Sequence, residues 1–355
     1  MMLSKFESNI AMYTSCLFTK MFTPRPTLNV KSKSIGALLG CMCGDVLGAC
    51  VSGWSAQKIY AVFPHGLQRF QDHTLGFGRF TDNICVTLAL GKSIVDSRGV
   101  DPKHVARVCA PFFETVQKYG TVTRILPVGI AYRNAPLHVL HRAVRDVCAP
   151  THTQHPIAVD AAFVFASAIG WLLNCRPAVT YVEKRILQDD FLAYLVDIAQ
   201  TDTVRGKLQL LAHRLVYMPE PVASWRTYLT CPTWHRERAL QLELCEGNPF
   251  GIRNCDCAVA VAVALCAFLH HGMTECYTSP RNAFVAACHY GGDTNAVTAM
   301  AGACWGALHG YENLPKDWLG DLENSQKGRF RAIEIGYHLV NVDVKSDCIE
   351  AMECD

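Results

Sequence analysis

Gly36, Gly40, Gly44 and Gly48 recur every four residues inside an apolar run, and this spacing constrains the fold more than any other feature of the chain. Residues four apart share one helix face, so the run predicts a helix with a stripe that has no side chains. Each glycine costs about 1 kcal/mol against alanine in a helix interior, so four of them need a close neighbour that a Cβ would exclude. Ala299, Gly302, Gly306 and Gly310 form a second stripe of small residues. Two such stripes predict two helices that cross at the centre of the fold and carry Asp45 and Asp293 inward together; the alternative is that each stripe packs against an unrelated element.

The rest of the chain reads helical too. Long runs of Ala, Leu, Val and Cys with few β-branched alternations are punctuated by Gly, Pro and Asn. Helices are expected near 34–51, 82–97, 102–118, 136–149, 156–174, 181–199, 204–217, 256–271, 280–290, 293–309 and 325–340. No repeat period emerges, and residues 218–235, with Pro219, Pro221 and Pro232, read as an irregular connection inside one domain. The fold class is all-α. A helical domain over 34–342 is flanked by a flexible extension over 1–33 and a tail over 343–355.

Only 18% of the 355 residues are charged and the net charge is +2, which leaves no basic field for nucleic acid and favours a small neutral or anionic partner. The run Ile35–Val51 has the apolarity of a membrane span, but it is short and holds Asp45 near its middle, a penalty of roughly 2.5–3.5 kcal/mol, so it reads as a buried helix and no membrane is expected. Eighteen cysteines in a long chain with no signal peptide point to buried thiols in a reducing, cytoplasmic setting. Cys231 with His235, and Cys288 beside His289, are loose zinc candidates. The extension carries Lys5, Lys20, Arg25, Lys31 and Lys33 against one acid, Glu7, a bias compatible with a mitochondrial transit peptide or with a disordered tail.

The chemistry-bearing residues lie in two segments about 210 residues apart, Phe80 to Asn83 and Gly291 to Ala296. Each puts Thr, Asp and Asn where an apolar helix begins. Capping alone explains each one; together, with Asp45 on a third helix, they gather the oxygen ligands that a hard divalent cation requires.

These segments, taken with Gly36 to Gly48 and with Ala301, Gly302 and Ala303, resemble the ADP-ribosylglycohydrolase family in order and spacing across roughly residues 34–340. Supporting segments are Arg124 to Gly129, Thr151 and His152 with His155 and Pro156, and Gly251 and Ile252 leading to Asp256. The resemblance implies a single-domain orthogonal helical bundle whose active members bind two magnesium or manganese ions and hydrolyse an ADP-ribosyl bond. It implies metal ligands at Thr81, Asp82, Asn83, Asp293 and Asn295, catalytic carboxylates among Asp82, Asp293 and Asp45, and ADP-ribose contacts from Gly120, Arg124, His152 and His155. His73 and Phe77, in the loop before Asp82, are candidates to flank a ribose or adenine.

The match departs from the family pattern at the metal ligands. Asn83 stands where the first motif has a second acid, Asn295 and Ala296 stand where the last motif has Asp and Thr, and Ser52 stands where a glutamate follows seven residues after the aspartate matching Asp45. Two divalent cations bring four positive charges, while Asp82 and Asp293 are the matched acidic ligands. One weakly held magnesium, or manganese in its place, is therefore expected at most. Three readings compete: an active hydrolase with Asp45 or Asp256 compensating, a weak or inactive relative that still binds ADP-ribose or an ADP-ribosylated protein, and a structural protein that kept only the fold. The second is favoured.

Overall fold

A computed structural model describes residues 29–112, 120–152, 155–218, 232–247, 256–274, 279–325 and 328–344. The elements in chain order are α1 (Val30–Ala49), α2 (Ala56–Val62), α3 (Asp82–Ser97), α4 (Pro102–Cys109), α5 (Gly120–Arg124), α6 (Leu126–Ala131), α7 (Leu137–His152), α8 (Pro156–Asn174), α9 (Tyr181–Ile198), α10 (Asp202–Leu215), α11 (Pro232–Leu244), α12 (Cys257–His271), α13 (Asn282–His289), α14 (Thr294–His309), α15 (Lys316–Asp321) and α16 (Arg329–Leu339). The fold is all-α: among the described residues the β-type pairing is limited to two isolated bridges, Ser55 with Gly291 and Ala178 with Thr274.

The two glycine-rich helices are direct neighbours. They do not cross at a point but lie antiparallel along their whole lengths. A Cβ on Gly36 would stand 2.6 Å from the Gly306 carbonyl oxygen, one on Gly40 2.2 Å from that of Gly302, one on Gly44 2.1 Å from that of Thr298, and one on Gly48 2.4 Å from that of Thr294. Each step of four along α1 meets a step of four back along α14. Thr294 and Thr298 thus occupy the far half of the second stripe, because what meets the glycines there is backbone. The Thr294 hydroxyl donates to the Gly48 carbonyl at 2.7 Å and ties the two ends together. Every residue of α14 is buried, as are those of α12, which packs on its other side.

Local signals explain most helix limits. Thr180 and Glu183 form a capping box that starts α9, Thr201 caps α10, and Asp101 followed by Pro102 starts α4. The expected helix 102–118 stops at Cys109 and tightens into a 3₁₀ turn over Ala110–Phe112, where Pro111 has no N–H to continue the ladder; residues 113–119 lie outside the described part. At the other end of the domain α1 begins at Val30, four residues before the expected 34. Asn29 caps it, and Lys33, expected in the extension, is buried with its ammonium donating to the Leu172 and Leu173 carbonyls.

The helix expected to end at Val51 ends at Ala49 instead, and from Ser32 to Gly48 it is buried, as expected. A different helix, α8, is long and apolar enough to cross a membrane, but most of its surface is covered inside the fold, as in a core helix. Cys41, Cys43, Cys266, Cys288 and Cys304 are free thiols buried in the core.

Candidate functional site

Asp45 lies on the glycine-striped helix and is fully buried. Its carboxylate accepts the Thr81 backbone N–H at 2.6 Å on Oδ2 and the Thr81 hydroxyl at 2.8 Å on Oδ1. The Thr81 hydroxyl in turn accepts the Asn83 N–H at 3.3 Å, so a single side chain caps α3 and fixes its start against α1. The Asn295 side chain also hydrogen-bonds Asp45, and the Ser52 hydroxyl donates to Asn295 Oδ1 at 2.9 Å. Ser52, Asn295, Asp45 and Thr81 therefore form one continuous chain of hydrogen bonds across three segments.

Glycine makes this convergence feasible. Gly291 and Gly292 have φ of +77° and +78°, and a Cβ on Gly291 would stand 2.7 Å from the Ala56 nitrogen. The turn they form pairs with the loop after α1 through Gly53 N–H to the Gly292 carbonyl at 2.7 Å and Gly292 N–H to the Trp54 carbonyl at 2.9 Å. That pairing brings Ser52 to Asn295 and sets Asp293 at the start of α14.

The electrostatics report a crowded set of acids. Burial pushes the Asp45 carboxyl up to about 6 against its hydrogen bonds, and the charge of Asp82 adds to the rise. Burial pushes Asp293 up to about 7, and the charge of Asp45 adds to it. Asp82 is exposed at the head of α3. Asp45, Thr81, Asp82, Asn83, Asp293 and Asn295 are thus brought together. The donor set suits a hard cation, since Asp82 and Asp293 offer carboxylates on either side of Asp45, whose carboxyl feels the charge of Asp82 and whose own charge acts on Asp293. The Asn295 oxygen accepts the Ser52 hydroxyl, and its side chain is engaged by Asp45.

The other predicted residues are spread more widely. Arg124 ends α5 fully buried, with Cys148, Cys109 and Cys257 close enough to act on its charge. Gly120 opens the same helix. His155 is exposed at the N-terminus of α8, while His152 ends α7 and its side chain lies outside the described residues. The His73 ring serves its own loop: Nε2 pairs with the Arg79 carbonyl at 2.8 Å and Nδ1 accepts the Leu75 N–H at 3.4 Å. Phe77 is half exposed. Asp256, weighed as a compensating acid, caps α12 by accepting the Val259 N–H at 3.0 Å.

Of the zinc candidates from the sequence, only the Cys288 and His289 pair lies wholly within the described residues, and each of the two is bonded elsewhere. Cys288 pairs with the Thr298 hydroxyl at 3.3 Å, the His289 Nε2 accepts the Leu67 N–H at 3.3 Å, and Cys231 is outside the described residues. A cluster that the sequence did not point to is assembled instead. Glu237 from α11 meets His270 and His271 from the last turn of α12, with all three buried and their ligand atoms within 4.8 Å of one another. Burial pushes the Glu237 carboxyl up, but the adjoining His271 and His270 outweigh it and hold it below the ordinary range; burial lowers His271. The readable signal was the adjacent histidine pair closing an apolar helix. Glu237 sits just past the stretch read as irregular, which hid its partnership.

The fold and this arrangement define an all-α scaffold with an acidic site where α1, the start of α3 and the start of α14 meet. The ADP-ribosylglycohydrolase family profile matches residues 26–120 and 115–343, and the chain belongs to that family. A solved structure described as an ADP-ribosylglycohydrolase-related protein complex shares the fold, with a TM-score of 0.59 at 20% identity over 88% of this chain and 98% of that one. No curated protein matches the chain significantly.

Proposed function

We propose that this protein binds ADP-ribose or an ADP-ribosylated target and has weak or absent metal-dependent hydrolysis. The observation that carries the reading is the hydrogen-bond chain from Ser52 through Asn295 to Asp45. Neutral side chains, bonded to one another, fill positions where a two-ion site needs free carboxylates. Asp82, Asp293 and the Thr81 oxygen remain as the donors for one magnesium or manganese ion. When bound, such an ion orients a sugar hydroxyl and a water and offsets charge developing at the anomeric centre. Thr81 keeps its place because Asp45 holds both its N–H and its hydroxyl.

An active hydrolase is the second reading, favoured by Asp293. A carboxyl raised to about 7 accepts a proton from water at neutral pH better than an ordinary aspartate does. Melting curves with ADP-ribose, with and without magnesium, combined with an assay for released ADP-ribose, separate the cases. A ligand-dependent rise in Tm without turnover is the expected result. Metal-dependent turnover that disappears in Asp293→Ala establishes the hydrolase, and the absence of both shift and turnover overturns binding.

A further inference from the structure

Five side chains converge from α11, from α12 and from Tyr290, the residue before the Gly291–Gly292 turn. His270 Nδ1 lies 3.0 Å from Glu237 Oε2, and His271 Nε2 lies 3.3 Å and 3.1 Å from the two carboxylate oxygens. The Tyr290 hydroxyl donates to Glu237 Oε1, and the Cys266 sulfur lies 3.8 Å from that hydroxyl. Adjacent residues of a helix normally diverge by about 100°. Here the two imidazoles bracket one carboxylate, with ring centroids 4.6 Å apart. In a tetrahedral zinc site with bonds of about 2.0–2.1 Å, neighbouring ligand atoms stand about 3.3 Å apart, which is the spacing found between these histidines and Glu237.

We infer that Glu237, His270 and His271 form a buried binding site for a zinc-class divalent cation, separate from the acidic site at Asp45, Asp82 and Asp293. Two imidazoles and one carboxylate are a donor set suited to zinc and poorly suited to magnesium. Cys266, four residues before His270 on α12, lies on the same helix face but outside this group of ligand atoms, so Glu237, His270 and His271 are the three donors. On binding, each neutral imidazole shifts its proton to the ring nitrogen away from the metal. The helix C-terminus contributes negative potential at this spot. The Lys184 ammonium, donating to the His270 carbonyl at 3.0 Å, is a positive group that the added cation must be balanced against. The site is enclosed, so the cation enters as the chain folds. It then clasps α11 to α12 and, through Tyr290, steadies the turn that carries Asp293.

The test uses the full chain folded with zinc chloride, then dialysed against a weak chelator, with metal content measured by mass spectrometry. About one equivalent of zinc per chain is expected, together with a Tm several degrees above that of protein folded without zinc. Glu237→Gln and His271→Asn should each lose the zinc, while Asp82→Asn and Asp293→Asn should keep it. Should the first two variants fail to fold, cobalt chloride in place of zinc on the wild-type chain gives an independent reading, since a tetrahedral site with nitrogen donors produces intense visible absorption. No retained zinc and no such absorption in the wild-type protein overturns the site. Retention that survives both Glu237→Gln and His271→Asn, or is lost in Asp293→Asn, overturns its location.

Discussion

Asp293 is where the charge of the acidic site is most exposed to experiment. Its carboxyl stands at about 7 in the folded chain, against an unfolded value near 3.9. Between about pH 4 and pH 7 the native state therefore holds a proton that the unfolded state has released. Stability contributed through this group falls as pH rises through that window and levels off above it. His289 and His309 oppose it: burial lowers them to about 3 and about 4, so they cost stability as pH falls below about 6.5. The whole-chain profile mixes the two, and a difference isolates the acid. In urea melts with chelator present, Asp293→Asn should gain on the wild type by about 2–4 kcal/mol as pH rises from 4 to 8; parallel profiles would show that Asp293 is not raised. The sequence made Asp45 and Asp293 legible as acids at helix starts or on an inward face. It did not reveal that Asn295 is bonded to the first of them and Ser52 to Asn295, because partnership across three segments depends on the turn at Gly291 and Gly292.

The glycine stripe on α1 makes the sharpest element-scale prediction. Because a Cβ on Gly40 would stand 2.2 Å from a backbone oxygen of α14, no side-chain rotation relieves the clash and the helices must separate. Gly40→Ala should cost about 3 kcal/mol or more, or prevent folding, in denaturant titration. Gly206, inside α10, meets nothing within 4 Å, so Gly206→Ala should instead stabilise by about 0.5–1 kcal/mol. Equal effects at the two positions would mean that the close approach is not what selects glycine. The existence of both helices could be read from spacing, but not their antiparallel alignment, since a four-residue period looks the same in either direction. Helices α2, α5, α6 and α15, of five to seven residues, are too short to display a period, while α11 begins at Pro232, inside the stretch expected to be irregular, because a proline that breaks a helix interior is tolerated at its first turn. The long helices α3, α8, α9 and α14 were legible because caps and apolar faces agreed over several turns.

At the scale of the whole molecule, the acidic site exists because positions near 45, 82 and 293 are carried to one point by a pair of antiparallel helices and a glycine turn. That makes the ligand substitutions separable from the scaffold. Asn295 is buried beside Asp45, whose carboxyl burial already raises to about 6. Asn295→Asp should therefore destabilise the metal-free protein by about 1–3 kcal/mol, since a second buried carboxylate there loses the amide donor and gains a like charge. The same change supplies an anionic ligand where a neutral one stood, and Ser52→Glu adds another at the position whose hydroxyl now occupies the Asn295 oxygen. With Asn83→Asp and Ala296→Thr, the combined variant should have a lower Tm than the wild type in chelator and a higher one in millimolar magnesium. The wild-type Tm should move little, because stabilisation by a ligand grows as RT ln(1 + [L]/Kd) and a weak site leaves that ratio small. A fluorimetric melt of both proteins across a magnesium series decides it. Crossing curves mean that the scaffold still holds the geometry of a two-ion site and that the asparagines and Ser52 switched it off. Curves that never cross mean that the cavity between α1, α3 and α14 has closed around its hydrogen-bond chain.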